Sequence, residues 1–143
     1  MSTSLPVAIR PAVEADLPFV RNSWLRNYHE HGEGARHVPN DVYFANSGHW
    51  GVVERCLRGG ATVVATPQDD EQSILGWACA GHGVLHYVYT KAPFRRLGVA
   101  RAVLAKFNFN PSPNCTHWTP VIREWAKRGR VYVYNPYLLE RAP

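Results

Sequence analysis

The segment Val84–Phe107, VLHYVYTKAPFRRLGVARAVLAKF, places a basic turn between two apolar stretches. Its first seven residues are rich in β-branched and aromatic side chains, which predicts a strand. After the KAPF turn, Val99, Val103 and Phe107 recur on one helical face, which predicts a helix from Gly98. A strand joined in this way to an amphipathic helix predicts a sheet covered by helices.

The rest of the chain alternates between strand and helix patterns in the same way. We predict an α/β fold (an α+β mixed sheet) with helices on both faces, built as one domain over residues 1–143. The predicted elements are a strand at 7–12, a helix within 13–28, a helix from Asn40 to Gly59–Gly60, strands at 61–66, 73–80 and 84–90, a helix from Gly98, a helix within 116–129 and a strand at 131–134.

The composition is that of a globular domain and points away from membranes and disulfides. Apolar residues make up 45% of the 143 residues, and no apolar window is long enough for a membrane span. The N-terminal MSTSLPVAIRP lacks an apolar signal core, so export is not expected. Three widely spaced cysteines favour buried bystander thiols in a reducing, cytoplasmic compartment.

The chain carries a net charge of +5, which predicts an acidic partner. Its arginines are spread out rather than clustered, so a phosphorylated cofactor accounts for the charge as well as a nucleic acid does. The seven histidines show no metal-binding spacing such as HExxH, so we expect no metal and place most of them on the surface or in loops.

The turn before the predicted helix has the chemistry of a phosphate site. The first amides of a helix lack intrahelical partners and, with the helix dipole, suit a phosphate. Gly98 and Ala100 leave that backbone accessible, and Arg95, Arg96 and Arg101 add positive charge. The segment therefore predicts a pyrophosphate cradle. The alternative, an ordinary turn with solvated arginines, accounts for neither of the two small residues.

The sequence Arg95–Ala100 resembles the signature of the GCN5-related N-acetyltransferase (GNAT) superfamily, which is Arg or Gln, two residues, Gly, one residue, then Gly or Ala. VAIRPAVEADLPFV resembles that family's first strand and helix, and ATVVAT with ILGWACA resembles its second and third strands. The resemblance covers most of residues 7–107. It implies a GNAT-like fold and an acetyl-CoA-dependent N-acetyltransferase, in which the amine attacks the thioester directly.

The resemblance also implies where the cofactor binds. The backbone of Val88, Tyr89 and Thr90 would hold the pantetheine arm of acetyl-CoA. The amides of residues 96–101, which include Val99, Ala100 and Arg101, would hold the diphosphate.

The catalytic groups depart from the family pattern. The strand that carries the usual Glu base has no acidic residue here, and His86 is its nearest titratable side chain. Strict alternation would place His86 on one face with Val84 and Val88. The two interpretations of His86, a general base and a packed strand histidine, have equal support. Trp125 occupies the position of the usual tyrosine acid, and tryptophan cannot donate that proton. Candidates to replace it are water and the side chains of Tyr132, Tyr134, Tyr137 and His117.

Two segments could border an acceptor. NCTHWT (114–119) is either part of an acceptor pocket or a helix cap with packing aromatics. In the predicted first helix, Arg26, Tyr28 and His29 either contact an acceptor, as the resemblance implies, or serve other roles, with Tyr28 favoured as a core residue.

Several short segments, among them SWLRNY and YNPYLL, also resemble GNAT-like proteins encoded by bacteriophages. That resemblance and the positive charge suggest a second hypothesis, a Mom-like enzyme that modifies DNA bases. The missing Glu and Tyr suggest a third, a non-catalytic binding protein on a GNAT scaffold. Pairing of two chains through the VYVY edge would give a homodimer.

Overall fold

A computed structural model of the protein describes residues 6–32, 34–109, 113–129 and 132–140. The strands are β1 (Val7–Pro11), β2 (Ala61–Pro67), β3 (Gly76–Gly81), β4 (Val84–Thr90), β5 (Asn114–Cys115) and β6 (Val133–Tyr134). The helices are α1 (Leu17–His31), α2 (Asn40–Tyr43), α3 (His49–Gly59), α4 (Val99–Leu104) and α5 (Pro120–Lys127). None of the helices in the described ranges is long and apolar enough to cross a membrane.

The six strands form one mixed sheet in the order β1-β2-β3-β4-β5-β6. The pairs β1–β2, β2–β3 and β3–β4 are antiparallel, whereas β5 runs parallel to both β4 and β6. The predicted mixed sheet with flanking helices is therefore confirmed.

Both faces of the sheet are covered, because successive side chains of a strand point to opposite faces. Trp77 of β3 packs with α1 and α3 in one core cluster. Its neighbour Ala78 packs with Val99 and Val103 of α4 in a second cluster on the other face. The sheet thus separates an aromatic core from a core of small aliphatic side chains.

The entry into α1 is fixed by one carboxylate. Asp16 accepts hydrogen bonds from the Arg10 guanidinium at 2.6 and 3.0 Å and from the Val13 amide at 2.8 Å. The bonds from Arg10 lower the pKa of Asp16, although its burial opposes this. Because Arg10 lies in β1, this ion pair ties the first strand to the start of the first helix.

The structure differs from the predicted elements at several places. The helix expected from Asn40 to Gly59–Gly60 is broken at residues 44–48, and α3 begins after Gly48, a residue that weakens helices. Strand β5 was not predicted, because two residues carry no periodicity. The helix expected within 116–129 begins at Pro120, where the Thr119 hydroxyl accepts a bond from the Ile122 amide at 3.4 Å.

The last predicted strand, 131–134, is shorter in the structure. Strand β6 comprises Val133 and Tyr134, and Val131 lies outside the described residues.

Candidate active site

A gap opens in the sheet where β4 and β5 part. The two strands pair only through Val84 with Asn114 and Leu85 with Cys115. The Thr116 amide donates the last bond, to the Leu85 carbonyl at 3.1 Å. Beyond it β4 continues to Thr90, and in the described part of the chain no strand pairs with that edge. Such an edge offers backbone hydrogen-bonding groups to an extended ligand.

His86 lies in a β-bulge at the start of the gap. Tyr87 pairs with Cys79 and Leu85 pairs with Ala80, so His86 has no residue opposite it on β3. The bulge also breaks the alternation of the strand, since Leu85 and Val88 both pack in clusters that contain Leu104. The expected grouping of His86 with Val84 and Val88 by strict alternation therefore does not hold.

The turn before α4 has an unusual backbone. Gly98 caps the helix in the left-handed region at φ +87°, and Arg96 is also left-handed at φ +65°. The first backbone bond of the helix runs from the Ala102 amide to the Gly98 carbonyl at 3.0 Å. The amides of residues 99–101 come before this bond, so they have no intrahelical acceptor. Glycine adopts the backbone conformation at position 98 without a steric penalty.

The predicted cofactor residues lie at one end of the gap. Arg95 donates from Nε to the Thr90 carbonyl at 3.1 Å, which joins the turn to the end of β4. Arg96 and Arg101 are exposed, and neither forms an ion pair within the described ranges. Val99 is buried, so its side chain is not available to a ligand. The assignment of these residues to a cofactor remains a prediction.

A chain of hydrogen-bonded side chains leads away from the bulge. His86 Nδ1 lies 3.0 Å from Thr116 Oγ1, and that oxygen lies 3.0 Å from His117 Nδ1. His117 Nε2 lies 2.8 Å from His49 Nε2 at the start of α3. Residues from β4, from the end of β5 and from α3 thus form a continuous chain, which we call the histidine chain.

Burial keeps the imidazoles of the histidine chain uncharged at neutral pH. Burial, with a smaller contribution from the neighbouring His82, lowers the pKa of His86 to about 4. Burial likewise lowers the pKa of His49 to about 4, with a contribution from Arg55. The pKa of His117 is lowered well below its ordinary value, by burial and then by His49 and His86.

Sequence reasoning identified His86 but missed the chain to which it belongs. His49 had no predicted role beyond its place in the helix expected from Asn40, and His117 was considered as a proton donor and as part of the segment 114–119, but not as a partner of His86. Both lie far from residue 86 in sequence, and no local pattern indicates that they meet. The signal that could have found them is the topology, because parallel pairing of β5 with β4 brings residue 116 beside residue 86.

A cavity of about 270 Å³ lies at the outer end of the histidine chain. His49 lies in its wall, with its ring stacked against Tyr28 and Tyr43 at centroid distances of 4.9 and 5.3 Å. Of the segment 114–119, Thr116 lies in the lining of this cavity, whereas Thr119 caps α5, so the segment includes the predicted helix cap, and its part in an acceptor pocket stays a prediction. The lining residues, none of which is acidic, are Tyr28, Gly34, Ala35, Val38, Tyr43, His49, Thr116, Tyr134 and Pro136.

Other candidate groups have structural roles. Trp125 stacks on Tyr132 at 6.0 Å and packs against the cluster of Leu85, Cys115 and Ile122. Cys115 is buried, which raises the pKa of its thiol to about 11, so it is not a thiolate at neutral pH. The prediction of buried bystander thiols is confirmed for all three cysteines. Within the described ranges, no three histidine, cysteine or acidic side chains are arranged to hold a metal ion.

No protein-family model matches the sequence, and no curated protein is significantly similar to it. Solved structures do share its fold. The histone acetyltransferase HPA2 and related acetyltransferase from Corynebacterium glutamicum aligns with a TM-score of 0.54 at 17% identity, over 71% of this chain and 70% of the other. A GCN5-related N-acetyltransferase (aminotransferase, class-II) from Rhodopseudomonas palustris aligns with a TM-score of 0.51 at 16% identity, over 90% and 71%. YjaB from Escherichia coli, in its apo form, aligns with a TM-score of 0.51 at 13% identity, over 71% and 64%.

The mixed α/β sheet with helices on both faces is therefore the fold of the GNAT acetyltransferases. This chain has that GNAT-like fold, with the strand gap and the basic turn described above.

Proposed function

We propose that the protein is an acetyl-CoA-dependent N-acetyltransferase that acetylates an amine by direct attack. The observation that carries this proposal is the open edge of β4, which ends beside the left-handed turn at Gly98. An extended backbone edge followed by free helix amides and unpaired arginines matches a ligand with an amide-bearing arm and a diphosphate. The shared fold supports the same conclusion.

The chain offers a specific group for each part of such a cofactor. The backbone of Val88–Thr90 would bind the pantetheine arm as an added strand does. The amides that begin α4 would bind the diphosphate, with charge from Arg95, Arg96 and Arg101. The bound cofactor would supply an acetyl group activated as a thioester. The residues fit this group, since the turn is exposed and no carboxylate pairs with Arg96 or Arg101 in the described ranges.

His86 is the side chain that we assign as general base. The residue is 8% exposed and lies at the start of the gap, and its Nδ1 is held by Thr116. The other nitrogen, Nε2, is therefore the one left for a substrate proton. The bulge also removes the His86 backbone amide from regular pairing with β3, which would make it a donor for an oxyanion.

Calorimetric titration with acetyl-CoA tests the cofactor assignment directly. We expect saturable binding of one molecule per chain, competed by free CoA. Absence of binding at millimolar acetyl-CoA would refute the proposal. A panel of alkylamines, arylamines, peptides and nucleosides, followed by mass spectrometry for a gain of one acetyl group, would then identify the acceptor class.

The cavity favours one alternative acceptor, the exocyclic amine of a nucleobase. Three tyrosines and His49 line it, and aromatic side chains are the usual partners of a base taken out of its stack. The net charge of +5 is compatible with a nucleic-acid partner. Mass analysis of nucleosides from the DNA of cells that express the protein tests this alternative, and unmodified bases would exclude it.

A further inference from the structure

We propose that His86, Thr116, His117 and His49 form a proton relay that carries the proton of the acceptor amine from β4 to the cavity. This inference rests on the proposed function, because it explains how a buried histidine could act as its base. The geometry that supports it is the unbroken series of three hydrogen bonds, at 3.0, 3.0 and 2.8 Å.

Exposure differs along the histidine chain. His117 and Thr116 are each 2% exposed and His86 is 8% exposed, whereas His49 is half-buried in the wall of the cavity, which Thr116 also lines. A proton taken up at His86 can therefore leave on the cavity side, where His49 is the most exposed member of the histidine chain, or return by the way it came.

The hydrogen-bonding capacity of each group limits the histidine chain to two directional patterns. A neutral imidazole has one donor and one acceptor nitrogen, and the threonine hydroxyl donates one hydrogen. In the first pattern His86 Nδ1 donates to Thr116, Thr116 donates to His117 Nδ1, and His117 Nε2 donates to His49 Nε2. In the second pattern every donor and acceptor is exchanged.

Proton transfer converts the first pattern into the second. The amine loses one proton to His86 Nε2 while one proton passes along each of the three hydrogen bonds. His49 Nδ1 then releases one proton to water in the cavity, so atoms and charge balance. The first pattern returns when His86 Nε2, after release of the product, gives its proton to water in the gap, one proton passes back along each of the three hydrogen bonds, and His49 Nδ1 takes one proton from water in the cavity.

The surroundings of the histidine chain favour transfer of the proton along the chain over its retention on any one imidazole. The rings that contact His117 are uncharged, namely Trp24, Tyr28 and Tyr87, and those stacked on His49 are Tyr28 and Tyr43. The ionisable neighbours that affect the end rings are Arg55 near His49 and His82 near His86, and neither is an acid. An imidazolium would thus be unstable at each position, which agrees with the lowered pKa values.

Histidine ¹⁵N NMR tests the directions of these hydrogen bonds and does not require an active enzyme. We expect His86, His117 and His49 to be neutral at pH 7 and to show one of the two directional patterns, or fast exchange between them. If Nδ1 of both His86 and His117 carried a proton, both would donate to Thr116, and the relay would be refuted. Any other non-directional pattern would refute it equally.

A pair of substitutions tests the function of the histidine chain. Thr116→Val keeps the shape of the side chain and removes the hydroxyl, whereas Thr116→Ser keeps the hydroxyl. With the acceptor from the amine panel, we expect Thr116→Val to lower kcat at least tenfold with the Kd of acetyl-CoA unchanged, and Thr116→Ser to restore most of kcat. Equal kcat in both variants would overturn the relay. Failure of the wild-type protein to bind acetyl-CoA would instead refute the proposed function. The NMR pattern would still show whether the hydrogen bonds of the histidine chain run in one direction, as the relay requires.

A third variant measures coupling along the histidine chain. His49→Phe keeps an aromatic ring between Tyr28 and Tyr43 but removes the outer end. In the otherwise wild-type protein, we expect His49→Phe to change the ¹⁵N shifts of His86. In the Thr116→Val variant, where the series of hydrogen bonds is already interrupted, adding His49→Phe should leave those shifts constant. Unchanged His86 shifts on introducing His49→Phe into the wild-type protein would contradict a connected relay.

Discussion

A Cβ atom on Gly76 would lie 2.8 Å from Cγ1 of Val99, closer than side chains approach one another. The same atom would lie 2.7 Å from the Tyr89 carbonyl oxygen, so the β3 backbone cannot move away freely. The absence of a side chain at Gly76 therefore lets α4 rest directly on the sheet and sets the distance between the basic turn and the open edge of β4.

Gly76→Ala should consequently destabilise the fold. We expect a loss of about 1–3 kcal/mol in the free energy of unfolding, because the added methyl group overpacks a close contact. Urea denaturation followed by circular dichroism measures this loss. An unchanged midpoint would show that α4 can shift at no cost.

Gly98→Val should weaken binding of acetyl-CoA without unfolding the domain. The valine would strain a backbone at φ +87° and crowd the amides that begin α4. We expect an affinity loss of ten- to a hundredfold, about 1.4–2.8 kcal/mol, by calorimetry. Gly83→Val is the matched control, since Gly83 has φ +74° at the opposite end of β4. Equal losses in both variants would argue against the placement of the diphosphate.

Arg96→Gln and Arg101→Gln should each reduce the affinity for acetyl-CoA about tenfold at low salt, since each removes a charge-assisted bond. The effect should shrink as ionic strength rises, because both side chains are exposed. Lys106→Gln removes an exposed charge beyond the end of α4 and should leave the affinity unchanged. A comparable loss in Lys106→Gln would mean that only overall charge matters.

Stability should fall in mild acid because of the histidine chain. Burial lowers the pKa of His86 and His49 to about 4 from the ordinary 6.5, so the unfolded chain binds more protons between these values. Their stabilisation is complete above pH 6.5 and is lost as the pH falls toward 4, by up to about 1.4 kcal/mol per pH unit for each histidine. Thermal melts from pH 7.5 to 4.5 measure the slope. His86→Phe should flatten it, whereas His37→Asn, at an exposed site, should not.

Asp16→Asn should destabilise the protein by about 1.5–3 kcal/mol, because it removes the charge from the bonds to Arg10 and Val13. The lowered pKa of Asp16 means that this stabilisation is present above pH 3.8 and is lost as the pH falls further. Denaturation of wild type and variant at pH 7 and pH 3 checks both statements, since their difference should be smaller at pH 3. A constant difference would show that the carboxylate charge is not involved.

Local patterns predicted those parts of the fold that depend on neighbouring residues. The strand Val84–Thr90 has the predicted bounds, and α4 begins after Gly98 as its small, basic turn indicates. The chemistry that predicts a phosphate site at this turn lies within seven consecutive residues, Arg95 to Arg101, and the assignment stays a prediction.

Features that arise from contacts distant in sequence were not predictable in this way. Strand β5 exists because Asn114 and Cys115 pair with residues about thirty positions earlier. The bulge at His86 appears only when β4 is aligned with β3, and it invalidated the argument from alternation. His49 and His117 meet across 68 positions, which no window of the sequence covers.

The two-residue length of β5 divides the sheet into a rigid part and a loosely attached part. Four antiparallel strands share long ladders, whereas in the described residues the strands beyond β4 pair with them only at Val84 and Leu85. Amide hydrogens of β6 should therefore exchange with deuterium faster than those of β2 and β3. The wall that Tyr134 and Pro136 contribute to the cavity can thus be remodelled at little cost to the scaffold that positions the reacting groups.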